Sequence, residues 1–223
     1  MSFSLLRVAL LIFVSQKGNK MRLQGENLSF RYEKGPWVIR DFSVAIESGE
    51  ILGLSGPSGR GKTTIARLLA GYEKPNRGRI SLEDRVYPIK GFHPVQYIAQ
   101  HPERAVNPRW RMRDILEETG EPDPAILEEL GIRAHWMDRW PGELSGGELQ
   151  RFCIARAITA ETRFLIADEI TTMLDAITQA RIWHFLTQIC RERSIGLLVV
   201  SHDPTLLGRI CDKIVELDEK VGL

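Results

Sequence analysis

The sequence predicts an α/β fold: a parallel sheet covered by helices on both faces, preceded by antiparallel strands and carrying a helical insertion. Three observations carry this. Continuous apolar runs at residues 51–54, 164–167 and 195–200 alternate with helical stretches, the pattern of strands buried on both faces. A glycine-rich loop joins the first run to the first helical stretch. Between about residues 110 and 140 the composition shifts to helix formers, Glu and Trp, broken by Gly120, Pro122 and Pro124.

Composition bounds the possibilities. A chain of 223 residues suits one domain, or one core with an inserted subdomain, and can bury a core without disulfides or a structural metal. Its 43% hydrophobic and 26% charged content excludes disorder and collagen-like structure. Thirty Lys and Arg against 29 Asp and Glu leave a net charge of +1, so no bulk electrostatic footprint for nucleic acid exists. A mean hydropathy of −0.17 argues against a multi-spanning membrane protein. Cys153, Cys190 and Cys211 are odd in number and lack metal or redox spacing, which reads as reduced thiols in a core.

At the start, residues 5–14 are apolar except Arg7, about half the roughly 20 residues a spanning helix needs. The run has the length of a signal-peptide apolar region, but Ser15-Gln16-Lys17-Gly18-Asn19-Lys20 offers no small-x-small cleavage site. The preferred reading treats residues 1–20 as an extension outside the native start, with translation from Met21, because domain patterning begins at Arg22. One domain then covers 21–223.

The elements follow in order. Leu23, Leu28, Phe30 and Tyr32, then Phe42, Val44 and Ile46, alternate around a Gly35-Pro36 turn, as antiparallel strands do. Glu47-Ser48-Gly49-Glu50 reads as a turn, residues 51–54 as a buried strand, and 62–70 as a helix closed by Gly71. Ile80, Leu82, Val86 and residues 95–99 suggest further short strands. Beyond the insertion come a helix at 147–159, a strand at 164–167 and a long helix at 175–192. In that last helix Ile177, Ile182, Phe185, Leu186 and Ile189 form a stripe. Strands at 195–200 and 213–217 complete the pattern.

Gly56-Pro57-Ser58-Gly59-Arg60-Gly61-Lys62-Thr63-Thr64 matches G-x-x-x-x-G-K-[ST] between a strand and a helix. Glycines permit positive φ and let backbone N–H groups close around phosphate oxygens. The helix N-terminus adds partial positive charge, Lys62 reaches the outer phosphates, and Thr63 supplies a hydroxyl for Mg²⁺. The motif predicts binding of a nucleoside triphosphate. The run Phe164-Leu165-Ile166-Ala167-Asp168-Glu169 ends in two carboxylates. Asp168 suits the Mg²⁺ shell, and Glu169 is free to orient a water in line with the γ-phosphate. Consecutive strand side chains point to opposite faces, so the two cannot share one role without a bend.

Upstream of that strand stands Leu144-Ser145-Gly146-Gly147-Glu148-Leu149-Gln150-Arg151. Ser-Gly-Gly at a helix start is a second anion-binding nest. The eight-residue string resembles the signature of the ATP-binding-cassette (ABC) ATPases, and supporting matches run along almost all of residues 21–217. Tyr32 resembles the family's adenine-stacking aromatic. Tyr97-Ile98-Ala99-Gln100 is similar to the strand entering the Q-loop, with Gln100 its glutamine. Thr172-Met173-Leu174-Asp175 resembles the D-loop, with Met173 where Ala is usual, and Val199-Val200-Ser201-His202-Asp203 the switch-histidine strand. Arg60 and Ile170 depart from commoner family residues, and neither removes a group with a chemical role.

The resemblance implies a P-loop NTPase (RecA-like) core with an antiparallel β-subdomain and a helical subdomain over about residues 100–146. It implies that two cassettes, identical or different, sandwich two ATP molecules, the loop of one facing Ser145-Gly146-Gly147 of the other, with Asp175 at the same interface. Lys62 and the loop hold phosphates; Thr63, Asp168 and Gln100 serve Mg²⁺; Glu169 polarises water and His202 braces it. Three classes compete: the energising subunit of a membrane transporter, a soluble cassette of DNA repair or translation, and a nucleotide-gated module that no longer hydrolyses. The first is expected, with separate transmembrane permease subunits, a substrate-binding protein reached indirectly, no nucleic-acid partner and a peripheral place on the cytoplasmic face of the inner membrane. Ala105-Val106-Asn107-Pro108-Arg109, and Thr171 to Asp175 with Gln179, resemble the branch importing peptides, nickel or metal chelates.

Four histidines, His93, His101, His135 and His184, share no metal spacing. Trp136 and Trp140 read as packing of the insertion. Arg104, Arg109, Arg111 and Arg113 read as a solvated face or as a contact with a membrane partner.

Overall fold

The computed structural model describes residues 21–83, 85–86 and 93–217, so the reading of the first twenty residues lies outside it. Two sheets form. The antiparallel one has the order β2-β1-β4-β5, from β1 (Arg22–Phe30), β2 (Ile39–Glu47), β4 (Arg77–Leu82) and β5 (Arg85–Val86). The other has the order β6-β7-β8-β3-β9, from β3 (Ile51–Ser55), β6 (Val95–Ile98), β7 (Phe164–Asp168), β8 (Gly196–Val200) and β9 (Lys213–Glu216), with every pairing parallel. The expected α/β class, with a parallel and an antiparallel sheet, is what the chain adopts.

Side-chain alternation along the parallel strands builds two cores on the two faces of one sheet. Leu52, Leu54, Ile166, Leu198 and Val200 point toward the antiparallel sheet and the helix α1 (Lys62–Leu69), meeting Leu23, Phe42, Ile46, Ile65 and Leu68. Their neighbours Ile51, Leu165, Ala167, Leu197 and Val199 point the other way. There they meet Phe152 and Ile154 of α4 (Gly146–Ala157), and Ile182 and Leu186 of α5 (Ala176–Glu192). Strands this apolar have no polar face to spare, which is why they read as continuous runs. Burial pushes the Cys153 thiol up to about 11 and that of Cys190 up to about 12, and all three cysteines are free.

α1 ends in a Schellman turn: Gly71 N–H donates to Leu68 O (3.0 Å) and Tyr72 N–H to Arg67 O (2.9 Å). Gly71 carries the positive φ of 78° this turn requires. Between β6 and α4 the chain makes only the short helices α2 (Met112–Glu117) and α3 (Pro124–Glu129) and three single 3₁₀ turns. Pro124 begins α3 and Asp123 caps it through Ala125 N–H (3.0 Å), so the helix formers on either side cannot merge into one longer helix. Trp136 is buried against Phe152. Trp140 instead lies at the surface beneath the Arg111 guanidinium, 3.9 Å from its ring centre, so the two tryptophans do different work. Arg113 pairs with Asp138. Part of the basic run is thereby tied down within the insertion itself. A last helix, α6 (Pro204–Ile210), links β8 to β9. Among the described residues, no helix is long and apolar enough to cross a membrane.

Candidate functional site

Because β3, β6, β7 and β8 run parallel in aligned register, their carboxyl ends lie side by side. Each feeds a different candidate segment: residues 56–64, Gln100, Asp168 with Glu169, and His202. Ligands of open α/β sheets bind outside the strand carboxyl ends.

The loop after β3 has positive φ at Gly56, Gly59 and Gly61. A Cβ on Gly61 would lie 3.1 Å from Val38 Cγ1 and 3.2 Å from Val38 O, on a backbone that L-residues rarely adopt. Gly61 caps α1 without a side-chain bond, so the first N–H groups of the helix face the loop. Lys62 is only 5% exposed, and its Nζ donates across the loop to Gly56 O (2.7 Å) and Pro57 O (3.0 Å). Pro57, Ser58 and Gly59 are exposed and Arg60 half-buried. Tyr32 is exposed beside the helix start; its ring meets Phe30 edge-on and its hydroxyl lies 3.5 Å from Thr64 Oγ1.

Thr63 donates to Asp168 Oδ1 at 3.2 Å, and Tyr97 OH donates to Asp168 Oδ2 at 2.7 Å. Asp168 is 1% exposed, and this burial raises its carboxyl above the usual aspartate range, against the opposing pull of those two hydrogen bonds. A buried carboxylate beside a hydroxyl, with an amide at Gln100, is a hard-oxygen donor set. Among the described residues no cluster of His, Cys, Asp and Glu forms a complete metal cage.

Glu169 supplies the bend the strand pattern requires: its φ is 50°, with its N–H donating to Val200 O (3.0 Å). This turn brings its carboxylate between Gln100 Nε2 (3.2 Å to Oε2) and His202 Nδ1 (3.5 Å to Oε1). Thr63 with Asp168, and Gln100 with Glu169 and His202, thus form two contact groups joined where Asp168 and Glu169 follow each other in the chain.

Ser145, Gly146 and Gly147 lie at the start of α4, where Ser145 Oγ accepts from Glu148 N–H (3.3 Å) and Glu148 Oε2 accepts from Ser145 N–H (2.8 Å). The backbone N–H of Ser145 holds the Glu148 carboxyl below its ordinary range. A Cβ on Gly147 would come within 2.9 Å of Leu174 Cδ2, so the helix start packs directly on the 171–175 loop. Asp175 caps α5, accepting from Ile177 N–H, Thr178 N–H and Thr178 Oγ1, and the Thr178 hydroxyl holds its carboxyl low. Gln179 pins the same loop through Thr171 O and Leu174 O.

Three residues of this region escaped sequence reasoning. Tyr97 reads as an ordinary strand aromatic, and only its polar tip hints at more. Arg67, on α1, stands near the hydroxyls of Tyr97 and Tyr32, which hold its guanidinium pKa up against the opposing effect of burial. Gln150, buried in α4, donates to Ala99 O at 3.3 Å and ties the signature helix to the residue before Gln100.

Comparison with known proteins now bears on this site. The ABC transporter family model matches residues 39–172, more than half of the chain. The nickel import ATP-binding protein NikE of Rhodospirillum rubrum is 35% identical over 206 residues, covering 82% of this chain and 73% of that protein. The nickel import system ATP-binding protein NikE of Staphylococcus aureus is 34% identical, covering 87% and 85%. Among solved structures, the dimeric post-hydrolysis state of the ATP-binding cassette MJ0796 bound to ADP and Pi superposes with a TM-score of 0.77 at 22% identity, covering 88% and 94%. CbiO1 from Clostridium perfringens, part of the ABC transporter complex cbiONQ, gives 0.73 at 23%, covering 89% and 85%. At these identities the structural likeness concerns the fold, and the family rests on the sequence matches and the motifs. The chain belongs to the ABC transporter family, as one of its ATPase cassettes.

Proposed function

We propose that the chain is the ATP-hydrolysing subunit of a nickel importer, acting as one of two cassettes beneath separate membrane-spanning subunits. The observation that carries this reading is the likeness to nickel import ATP-binding proteins over most of both chains, at a site that holds groups for phosphate, cation and water. Lys62 and the N–H groups of residues 56–64 take the β- and γ-phosphates. Thr63, Asp168 and Gln100 would hold Mg²⁺, which when bound neutralises developing phosphate charge. Glu169 orients a water for in-line attack on the γ-phosphorus and takes its proton as the bond to ADP breaks. His202, through its contact with Glu169, keeps that carboxylate aimed. No covalent intermediate on the chain is required, so positioning and charge stabilisation carry the rate.

A second cassette, identical or not, supplies its Ser145 nest to the γ-phosphate of this one, and Tyr32 stacks on the adenine. Closure on ATP and opening after hydrolysis then drive the permease. Exposed Asn107 lines a cleft of about 350 Å³ together with Tyr72, Gln96, Tyr97, Glu118 and Arg156, a suitable seat for a permease segment. The helical segment between Gln100 and Gly146 acts as a subdomain of the one cassette that begins at Met21. The working location is the cytoplasmic face of the inner membrane, and a substrate-binding protein communicates with the chain only through the permease. Deleting the gene should abolish energised nickel accumulation, with the wild-type chain restoring it and the Glu169→Gln chain not. Intact nickel uptake with lost peptide uptake would overturn the substrate assignment.

A further inference from the structure

We infer that Tyr97 is a positioning residue for Asp168: its hydroxyl occupies one carboxylate oxygen, leaves the other for the cation, and so favours Mg²⁺ over Ca²⁺. The inference rests on the proposed role of Asp168 toward the cation and deepens it.

Sheet register makes the contact possible. Tyr97 pairs with Ile166 across the β6–β7 ladder, and residues 166 and 168 share a strand face. Asp168 is therefore the diagonal neighbour, within reach of a long aromatic side chain. At 2.7 Å, the O–H···O bond to Asp168 Oδ2 has the usual length of a well-formed hydroxyl hydrogen bond.

The direction of that bond follows from its acceptor: an ionised carboxylate can only accept, so the phenolic hydrogen points at Asp168. The ring is steadied by Tyr72, whose centre lies 5.3 Å away.

The chemical consequence is a carboxylate with one oxygen engaged. Oδ2 is held by Tyr97, and Oδ1 faces Thr63 Oγ1. Monodentate ligation suits Mg²⁺, which demands near-ideal octahedral geometry. Ca²⁺ readily takes bidentate carboxylates and a looser shell. Removing the hydroxyl frees Oδ2 and lets Asp168 rotate toward bidentate ligation.

The test uses the full chain and measures metal binding rather than turnover. A fluorescent ATP analogue is titrated without metal, then with Mg²⁺, Mn²⁺ or Ca²⁺, for wild type and Tyr97→Phe. The variant should bind the nucleotide without metal as wild type does, while the apparent Mg²⁺ and Mn²⁺ affinities fall about 10- to 100-fold. Its Mg²⁺-over-Ca²⁺ preference should also shrink. Unchanged metal affinities and preference overturn the inference, as does an equal loss of metal-free nucleotide binding, which would mark a structural role only. If Tyr97→Phe does not fold, Tyr97→Met, which also removes the hydroxyl while keeping a long apolar side chain, should show the same pattern, and a wild-type metal preference there overturns the inference. Wild-type nucleotide binding with no metal dependence would instead remove the proposed role of Asp168 itself.

Discussion

Replacing Glu169 by Gln should abolish turnover while leaving ATP bound. The carboxylate is 17% exposed and held from two sides, by Gln100 Nε2 at 3.2 Å and His202 Nδ1 at 3.5 Å. Glutamine fills the same volume, and its oxygen can still accept from Gln100 Nε2, but its amide nitrogen then faces His202 Nδ1 where a charged oxygen stood. A hydrogen bond to a charged group is worth about 1.5–3 kcal/mol and a neutral one about 0.5–1.5 kcal/mol. The swap therefore weakens the folded site by up to about 2.5 kcal/mol. At about 2–4 °C per kcal/mol for a chain of this size, Tm should fall by up to about 10 °C and the protein should still fold. The kinetic loss is far larger, because the missing charge is the proton acceptor. A positioned base contributes about 10²- to 10⁴-fold, or about 3–5 kcal/mol at 1.36 kcal/mol per tenfold. The phosphate-holding groups come from a different segment, β3 to α1, so the nucleotide Kd should change by less than about threefold, well under the 1.4 kcal/mol of a tenfold change. Single-turnover phosphate release and fluorescent-nucleotide titration on one preparation measure both. Wild-type release rates, with contaminating ATPase excluded, would refute the role of Glu169.

Lys62→Ala removes both cross-loop hydrogen bonds and the charge facing the phosphates, so ATP affinity should fall more than about tenfold in the same titration; an unchanged Kd would contradict the loop assignment. Asp168 has a folded pKa raised by burial, so the native state binds more protons than the unfolded one, and stability falls as pH rises from near 4 through the folded value. Asp168→Asn should therefore raise Tm of the nucleotide-free protein at neutral pH, with the gap closing toward acid; a lower Tm at neutral pH would refute this. Ser145→Ala removes the cap of α4 and should cost about 1 kcal/mol, a fall of about 2–4 °C in a thermal scan, and no shift would show that Glu148 alone holds the helix start.

Much of the fold was legible because strands buried on both faces leave continuous apolar runs, and residues 164–167 and 196–200 show this directly. The phosphate loop, the acidic pair and His202 were legible for a related reason: each is a short contiguous string at a strand end. What stayed hidden depends on register between distant segments. The Tyr97–Asp168 bond joins residues 71 apart in sequence, and only the β6–β7 alignment makes them neighbours. The bend at Glu169 was required by the alternation of strand side chains, but its form, a positive φ at a non-glycine residue, follows from the Val200 carbonyl that anchors its N–H. Trp136 and Trp140 looked equivalent at helical spacing. Trp136 ends the 3₁₀ turn Ala134–Trp136 and Trp140 caps the next one, Pro141–Glu143, so no continuous helix joins them; one lies in the core and one under Arg111.

The most direct test of the account is ATP turnover by the purified chain across a range of chain concentrations, alone and after addition of detergent-solubilised membranes from its host. If a second cassette completes the site, the rate per chain should rise with concentration or on adding the membranes, and chelation of divalent cations should abolish it. Tight ATP binding without hydrolysis under every one of these conditions, or a rate per chain that neither concentration nor membranes alters, would contradict it.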